Sequence, residues 1–123
     1  NPHAAKELAK TLSELPKATC QAAVFGMLSD KDRAQVCQIM ASSFDKWYVS
    51  DLHGPRGGTA KDLCAMLGEA GVPQEKIRTF KTVEEALQQA LEEAQETDRI
   101  VTFGSFLTVA SAIEFLKERV GRN

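Results

Sequence analysis

No apolar run in the sequence approaches the roughly 20 residues that a membrane-spanning helix needs. Residues 1–18 interleave charged and apolar positions and contain no signal-peptide core. Neither sign of charge is in excess: 15 Lys and Arg stand against 17 Asp and Glu, a net charge of −2. A surface built for nucleic acid or anionic lipid needs a basic surplus, so neither partner is expected. Cysteine is scarce. Cys20, Cys37 and Cys64 form no C-x-x-C pair, and His3 and His53 are not spaced to complete a zinc site. An odd number of cysteines in apolar surroundings predicts three buried free thiols in a reducing compartment, the cytoplasm. Common phosphate-binding motifs are also missing. Gly54 to Thr59 has the glycines of a P-loop but no lysine before the threonine, and there is no G-x-G-x-x-G. No Ser-His-acid set is apparent, and His53 beside Gly54-Pro55 reads as a loop residue.

What is present is a hydrophobic content of 43% over 123 residues, enough for one domain, 1–123, with its own core. Asn1-Pro2 suits an N-cap followed by the first helical residue, and Ala5, Leu8, Leu12 and Leu15 recur at helical spacing up to Pro16. Ala22–Leu28 is a short apolar run of the kind found in a buried strand. Ser29 or Asp30 can cap a second helix, with Val36, Ile39, Met40 and Phe44 inward. Lys46–Leu52 reads as a strand and His53–Gly58 as a loop. Thr59 with Asp62 resembles a capping box for a helix that turns Leu63, Cys64, Leu67 and Ala70 inward and ends at Gly71 and Pro73. Ile77–Phe80 is the next strand, and Thr82 with Glu85 caps a helix packed through Val83, Ala86, Leu87, Ala90, Leu91 and Ala94. Its acidic side, Glu84, Glu85, Glu92, Glu93 and Glu96, reads as a solvated face. Arg99–Gly104 is the last strand, and a helix from Ser105 is expected to pack through Val109, Ile113, Leu116 and Val120.

Strands alternating with helices predict an α/β fold. It is a three-layer, Rossmann-like, mostly parallel sheet with helices on both faces. A chain that opens on a helix is expected to have a further strand just upstream and to be part of something longer. In open α/β sheets ligands bind beyond the carboxyl ends of the strands. Three loops meet that condition: Gly26–Asp32, Gly54–Thr59 and Gly104–Thr108. Each pairs a glycine with a polar or charged residue at a helix start, and the last two can present a helix N-terminus to an anion. Ser29, Asp30 and Ser105 can equally be simple caps, and Arg56 a solvated turn residue. On these residues alone the reading stops at an α/β domain with a polar edge. A stand-alone small-molecule binding module and a non-catalytic scaffold both remain open.

The same loops carry a resemblance. Asn1-Pro2-His3-Ala4-Ala5, Gly26-Met27-Leu28-Ser29-Asp30-Lys31-Asp32, Gly54-Pro55-Arg56-Gly57 and Gly104-Ser105-Phe106 with Thr108-Val109-Ala110 occur in that order. Together they resemble the C-terminal domain of the bacterial dihydrofolate synthase/folylpolyglutamate synthase family, within the Mur ligase superfamily. The resemblance implies an enzyme, an ATP- and Mg²⁺-dependent ligase that joins L-glutamate to dihydropteroate or folate through an acyl phosphate. It places the P-loop, the Mg²⁺ ligands and most of the pterin site in an N-terminal domain outside this chain, so the isolated domain is expected to be inactive and to hold no cofactor.

By position, the resemblance puts Ser105, Asp30, Lys31 and Asp32 on the glutamate side. It puts Asn1 and Arg56 at the interdomain cleft and nucleotide edge, assigns no catalytic or metal-binding residue to this chain, and implies a monomer. One departure stands out: relatives often have His after Gly-Ser-Phe, where this chain has Leu107, so a role of that His is not carried over.

Overall fold

The computed structural model describes residues 1–121. Its elements, in chain order, are α1 (Pro2–Glu14), β1 (Gln21–Gly26), α2 (Arg33–Met40), β2 (Lys46–Ser50), α3 (Ala60–Glu69), a 3-10 turn (Gln74–Lys76), β3 (Ile77–Phe80), α4 (Val83–Glu93), β4 (Arg99–Gly104) and α5 (Phe106–Gly121). The four strands form one parallel sheet in the order β3-β2-β1-β4. The alternating order expected from the sequence is therefore the observed one.

Strand side chains point alternately to the two faces. On one face Phe25, Trp47, Val49 and Phe103 pack with Val36, Met40, Leu63 and Leu67 under α1, α2 and α3. Four rings fill its centre: Phe25 stacks on Phe103 at 4.7 Å, and Phe44 meets Trp47 edge-on at 5.1 Å. On the other face Ala22, Val24 and Tyr48 pack with Val83, Ala86, Leu87, Ala90 and Ala112 of α4 and α5. The chain runs β1, β2, β3 outward in one direction, then returns through α4 to set β4 on the free side of β1. The connection reverses between β1 and β4, which makes that junction the topological switch point of the sheet.

The helix starts follow local chemistry. The Asn1, Thr59 and Thr82 side chains accept from the backbone N–H of Ala4, Asp62 and Glu85, as the sequence indicates. α2 departs from expectation: its cap is Asp32, with no side-chain bond to the helix. Phe44 is buried, but from the loop that follows α2. β1 and β2 end two residues earlier than read, at Gly26 and Ser50, where the chain turns into the edge loops. Leu15 lies beyond α1 and is exposed.

The larger corrections concern α5, the thiols and Glu93. α5 packs on the sheet through Thr108 and Ala112, while Val109, Ile113, Leu116 and Val120 lie on its outer side. The small Thr108 and Ala112 allow the start of the helix to sit close to the sheet, and Phe115 packs half-buried against the same core further along. Of the three free cysteines only Cys37 is fully buried; Cys20 and Cys64 are half-buried. Burial pushes the Cys37 thiol up to about 12. Glu93 belongs to no solvated face: it accepts from the Tyr48 phenol at 2.6 Å and from Gln89 at 2.8 Å, and it pairs with Arg78.

Candidate functional site

The carboxyl ends of β1, β2 and β4 release three loops that bond to one another. After β1 the chain runs Met27 to Asp32. Met27 is buried in the core, whereas Ser29, Asp30, Lys31 and Asp32 are exposed. The loop after β2 lies beside it. Ser29 donates both its N–H (2.8 Å) and its hydroxyl (3.1 Å) to the Arg56 carbonyl, and Arg56 Nη1 reaches Asp30 Oδ2 at 2.7 Å. The turn from β4 into α5 closes the other side. The Ser105 hydroxyl oxygen accepts from the Leu28 N–H at 2.7 Å, and the Ser105 N–H donates to the Gly26 carbonyl at 3.0 Å.

This approach needs glycine at position 104. Its φ is +127°, and a Cβ there would lie 1.9 Å from the Gly26 carbonyl oxygen. With both strands ending in glycine at the switch point, β1 and β4 come together without side chains between their last residues.

The sequence-indicated residues thus occupy one edge but play different parts. Asp30 and Arg56 are partners of each other. Ser105 is 7% exposed, and its oxygen holds Leu28, which leaves its own proton for a further acceptor. Lys31 and Asp32 are exposed, with backbone bonds to Leu28 and Val36 respectively. Asn1 caps α1 and lines a small cavity of about 90 Å³ with Leu8, Met27, Phe103 and Gly104, against the ends of β1 and β4. Two polar residues received no role from the sequence, although Thr108 lies in the Gly104–Thr108 loop and opens the Thr108-Val109-Ala110 run. Thr108 is wholly buried and donates to the Gly26 carbonyl at 2.8 Å. Arg33 lies nearly buried at the start of α2, its Nη1 3.8 Å from Asp62 Oδ2. The signals for Thr108 were its place three positions after the Ser105 cap and in the run that resembles the family; a basic residue in the first helical turn gave none for Arg33.

Beyond β2 and β3 the same edge has a polar depression lined by Asp51, Lys61, Thr79, Lys81 and Glu85. Asp51 Oδ1 accepts from Ala60 N–H at 2.6 Å and so occupies the N-terminus of α3. Tyr48, Arg78 and Glu93 border a different depression, with Asp45 and Lys46 at the amino end of β2, and do not join the edge loops. Among the described residues no group of three or more His, Cys, Asp or Glu is placed to hold a metal ion, and no helix is long and apolar enough to cross a membrane.

Comparison with known proteins gives a consistent result. Residues 1–106 match the model of the family described as Mur ligase, glutamate ligase domain. A dihydrofolate synthase/folylpolyglutamate synthase of Escherichia coli K12 is 39% identical over 119 residues, which is 97% of this chain and 26% of that protein. The structure of E. coli FolC in complex with ADP superposes with a TM-score of 0.89 at 38% identity, covering 98% of this chain and 28% of that one. A bifunctional folylpolyglutamate synthase/dihydrofolate synthase with Mn, AMPPNP and L-glutamate bound gives 0.79 at 38% identity, covering 95% of this chain and 27% of the other. The chain therefore spans about a quarter of the length of the relatives it matches.

Proposed function

We propose, from the premise that this chain belongs to the Mur ligase family through its glutamate ligase domain, that it is the glutamate-side domain of an ATP-dependent amide ligase. The acceptor is dihydropteroate, a folate or both, and the incoming nucleophile is the amine of L-glutamate. The observation that carries the reading is the interlocked edge at the switch point, where Leu28 bonds to Ser105 and Asp30 to Arg56 on loops that also hold Lys31 and Asp32, all within the residues 1–106 that match the family. Relatives of known structure support it: one holds ADP and DHPP, another Mn, AMPPNP and L-glutamate.

In this reading the carboxylate of the acceptor is activated as an acyl phosphate and glutamate attacks it. The sequence has no P-loop motif, and among the described residues no group of His, Cys, Asp or Glu is placed to hold a metal ion, so phosphoryl transfer is assigned to another domain of the ligase, which supplies the ATP and Mg²⁺ sites. This domain binds and orients glutamate. Ser105 retains a proton to donate to a carboxylate, and Lys31 brings a positive charge that favours an amino acid carrying two carboxylates. Asn1 and Arg56 face the cleft toward the nucleotide.

The test is steady-state kinetics in the whole ligase. Losing one hydrogen bond to a charged ligand costs on the order of 1.5–3 kcal/mol, about 10- to 150-fold. Ser105→Ala is expected to raise the KM for glutamate by that factor and to leave those for ATP and dihydropteroate nearly unchanged. A change confined to the ATP constant places the serine on the wrong substrate. The domain by itself is expected to bind MgATP no tighter than about millimolar by calorimetry, roughly −4 kcal/mol.

A further inference from the structure

We infer that Thr108 is a positioning residue for glutamate use: its hydroxyl fixes the point from which the Asp30–Asp32 loop is hung. The inference rests on the proposed function, since it assigns a purpose to that loop.

Three polar side chains are buried among the described residues: Ser50, Ser105 and Thr108. Ser50 bonds to the carbonyl of its neighbour Asp51. Thr108 sits in the first turn of α5, and its hydroxyl reaches across to Gly26, 82 residues earlier. The Gly26 carbonyl thereby accepts from both Thr108 Oγ1 and Ser105 N–H at the last residue of β1. Two residues on, the Leu28 N–H is held by Ser105 Oγ. Residues 26 and 28 are thus tied by a single turn of chain, with Met27 locked in the core between them.

Outside this tie, residues 29–32 are exposed, and their cross-loop restraint comes from Arg56. Their placement over the switch point is therefore set jointly by Arg56 and by how residues 26–28 are held. Gly26 lacks a side chain that could take over: a Cβ there would already lie 3.2 Å from Thr108 Oγ1. Removing the hydroxyl leaves one donor on the Gly26 carbonyl and lets the strand end shift relative to Ser105. Ground-state placement of glutamate then suffers, while groups contributed by other domains are untouched.

Thr108→Val keeps the volume and drops the donor. In the whole ligase it is expected to raise the KM for glutamate about 5-fold, the equivalent of one neutral hydrogen bond. The kcat and the KM for ATP should stay unchanged, and Thr108→Ser should restore the glutamate constant. Thermal unfolding is recorded in parallel. A lower melting temperature with wild-type kinetics, or an equal shift of every kinetic constant, overturns the inference. If Thr108→Val does not fold, Thr108→Cys, a much weaker donor, replaces it with the same expected split. If neither folds while Thr108→Ser does, the hydroxyl serves the fold and the inference is overturned. Lys31→Ala and Ser105→Ala separate the two claims. If these leave the glutamate KM unchanged, the glutamate-side reading fails; if they raise it and Thr108→Val does not, the positioning role alone fails.

Discussion

The Tyr48 phenol on β2 donates to Glu93 Oε1 at the end of α4, 2.6 Å away and 45 residues later in the chain. Arg78 on β3 completes the contact, pairing with Glu93 while its guanidinium lies 5.0 Å from the Tyr48 ring centre. This cluster fastens α4 to β2 and β3 toward the end of the sheet opposite the edge loops.

The cluster makes stability depend on acid. Hydrogen bonds from Tyr48, Arg78 and Gln89 hold the Glu93 carboxyl down at about 2, and burial together with Glu93 raises the Tyr48 phenol to about 12. A carboxylate with a depressed pKa stabilises the fold fully above its unfolded value of about 4.3, and the contribution is lost as the pH falls toward 2. Glu93→Gln should cost on the order of 1 kcal/mol at neutral pH, allowing for its partial exposure. Urea unfolding at a series of pH values should show a flatter acid limb in the variant between about pH 4 and 2. An acid limb identical to that of the wild type would show that the cluster contributes nothing.

Gly104→Ala is expected to destabilise the domain by about 3 kcal/mol or more, because a positive φ and a backbone clash coincide at one position. Gly54→Ala, with φ +102° but nothing within 4 Å of the added Cβ, should cost only about 1 kcal/mol. Denaturant midpoints of the two variants measure the difference; equal losses would mean that the approach of β4 to Gly26 is not tight.

The two sides of α5 should respond in opposite ways. Ile113→Lys places a charge on the half-exposed outer side and should change stability by no more than about 0.5 kcal/mol. Ala112→Lys forces a charge between α5 and the sheet and should cost about 4 kcal/mol or more. Thermal melts of both variants decide which stripe faces the core.

Thiol labelling should be stepwise. Cys20 and Cys64 are half-buried and should react with a thiol reagent in the native protein, whereas Cys37, buried and held as a thiol, should wait for denaturant. Equal native rates for all three would contradict the packing around α2.

What was legible in the sequence was local. β3 and β4 have the bounds that their composition indicates, and Asn1, Thr59 and Thr82 cap their helices because such a bond spans three residues. The edge loops could be found because glycine and polar residues gather where strands turn into helices. Choices between equivalent faces were not legible. α5 carries apolar residues on more than one side, and periodicity cannot tell the small stripe of Thr108 and Ala112 from the bulky one of Val109, Ile113 and Leu116. Glu93 looked like one more solvated glutamate because its partners, Tyr48 and Arg78, lie on other elements. The pairing of Asp30 with Arg56 and of Leu28 with Ser105 was hidden for the same reason: each is a contact across the sheet edge.

The position of β4 beside β1 has a consequence for the order of assembly. Its first register pair, Gln21 with Arg99, joins residues 78 apart, so this pairing closes the longest loop in the sheet. Closure entropy grows with the span, and contacts of long separation form late. The three strands β1, β2 and β3 can pair through short crossovers while β4 and α5 are still loose. Ser105 and Thr108 arrive only with that final docking. On a ribosome the loop after β1 therefore has its tie to Ser105 and Thr108 last of all, and a chain interrupted before residue 105 presents Asp30, Lys31 and Asp32 on an unanchored strand end.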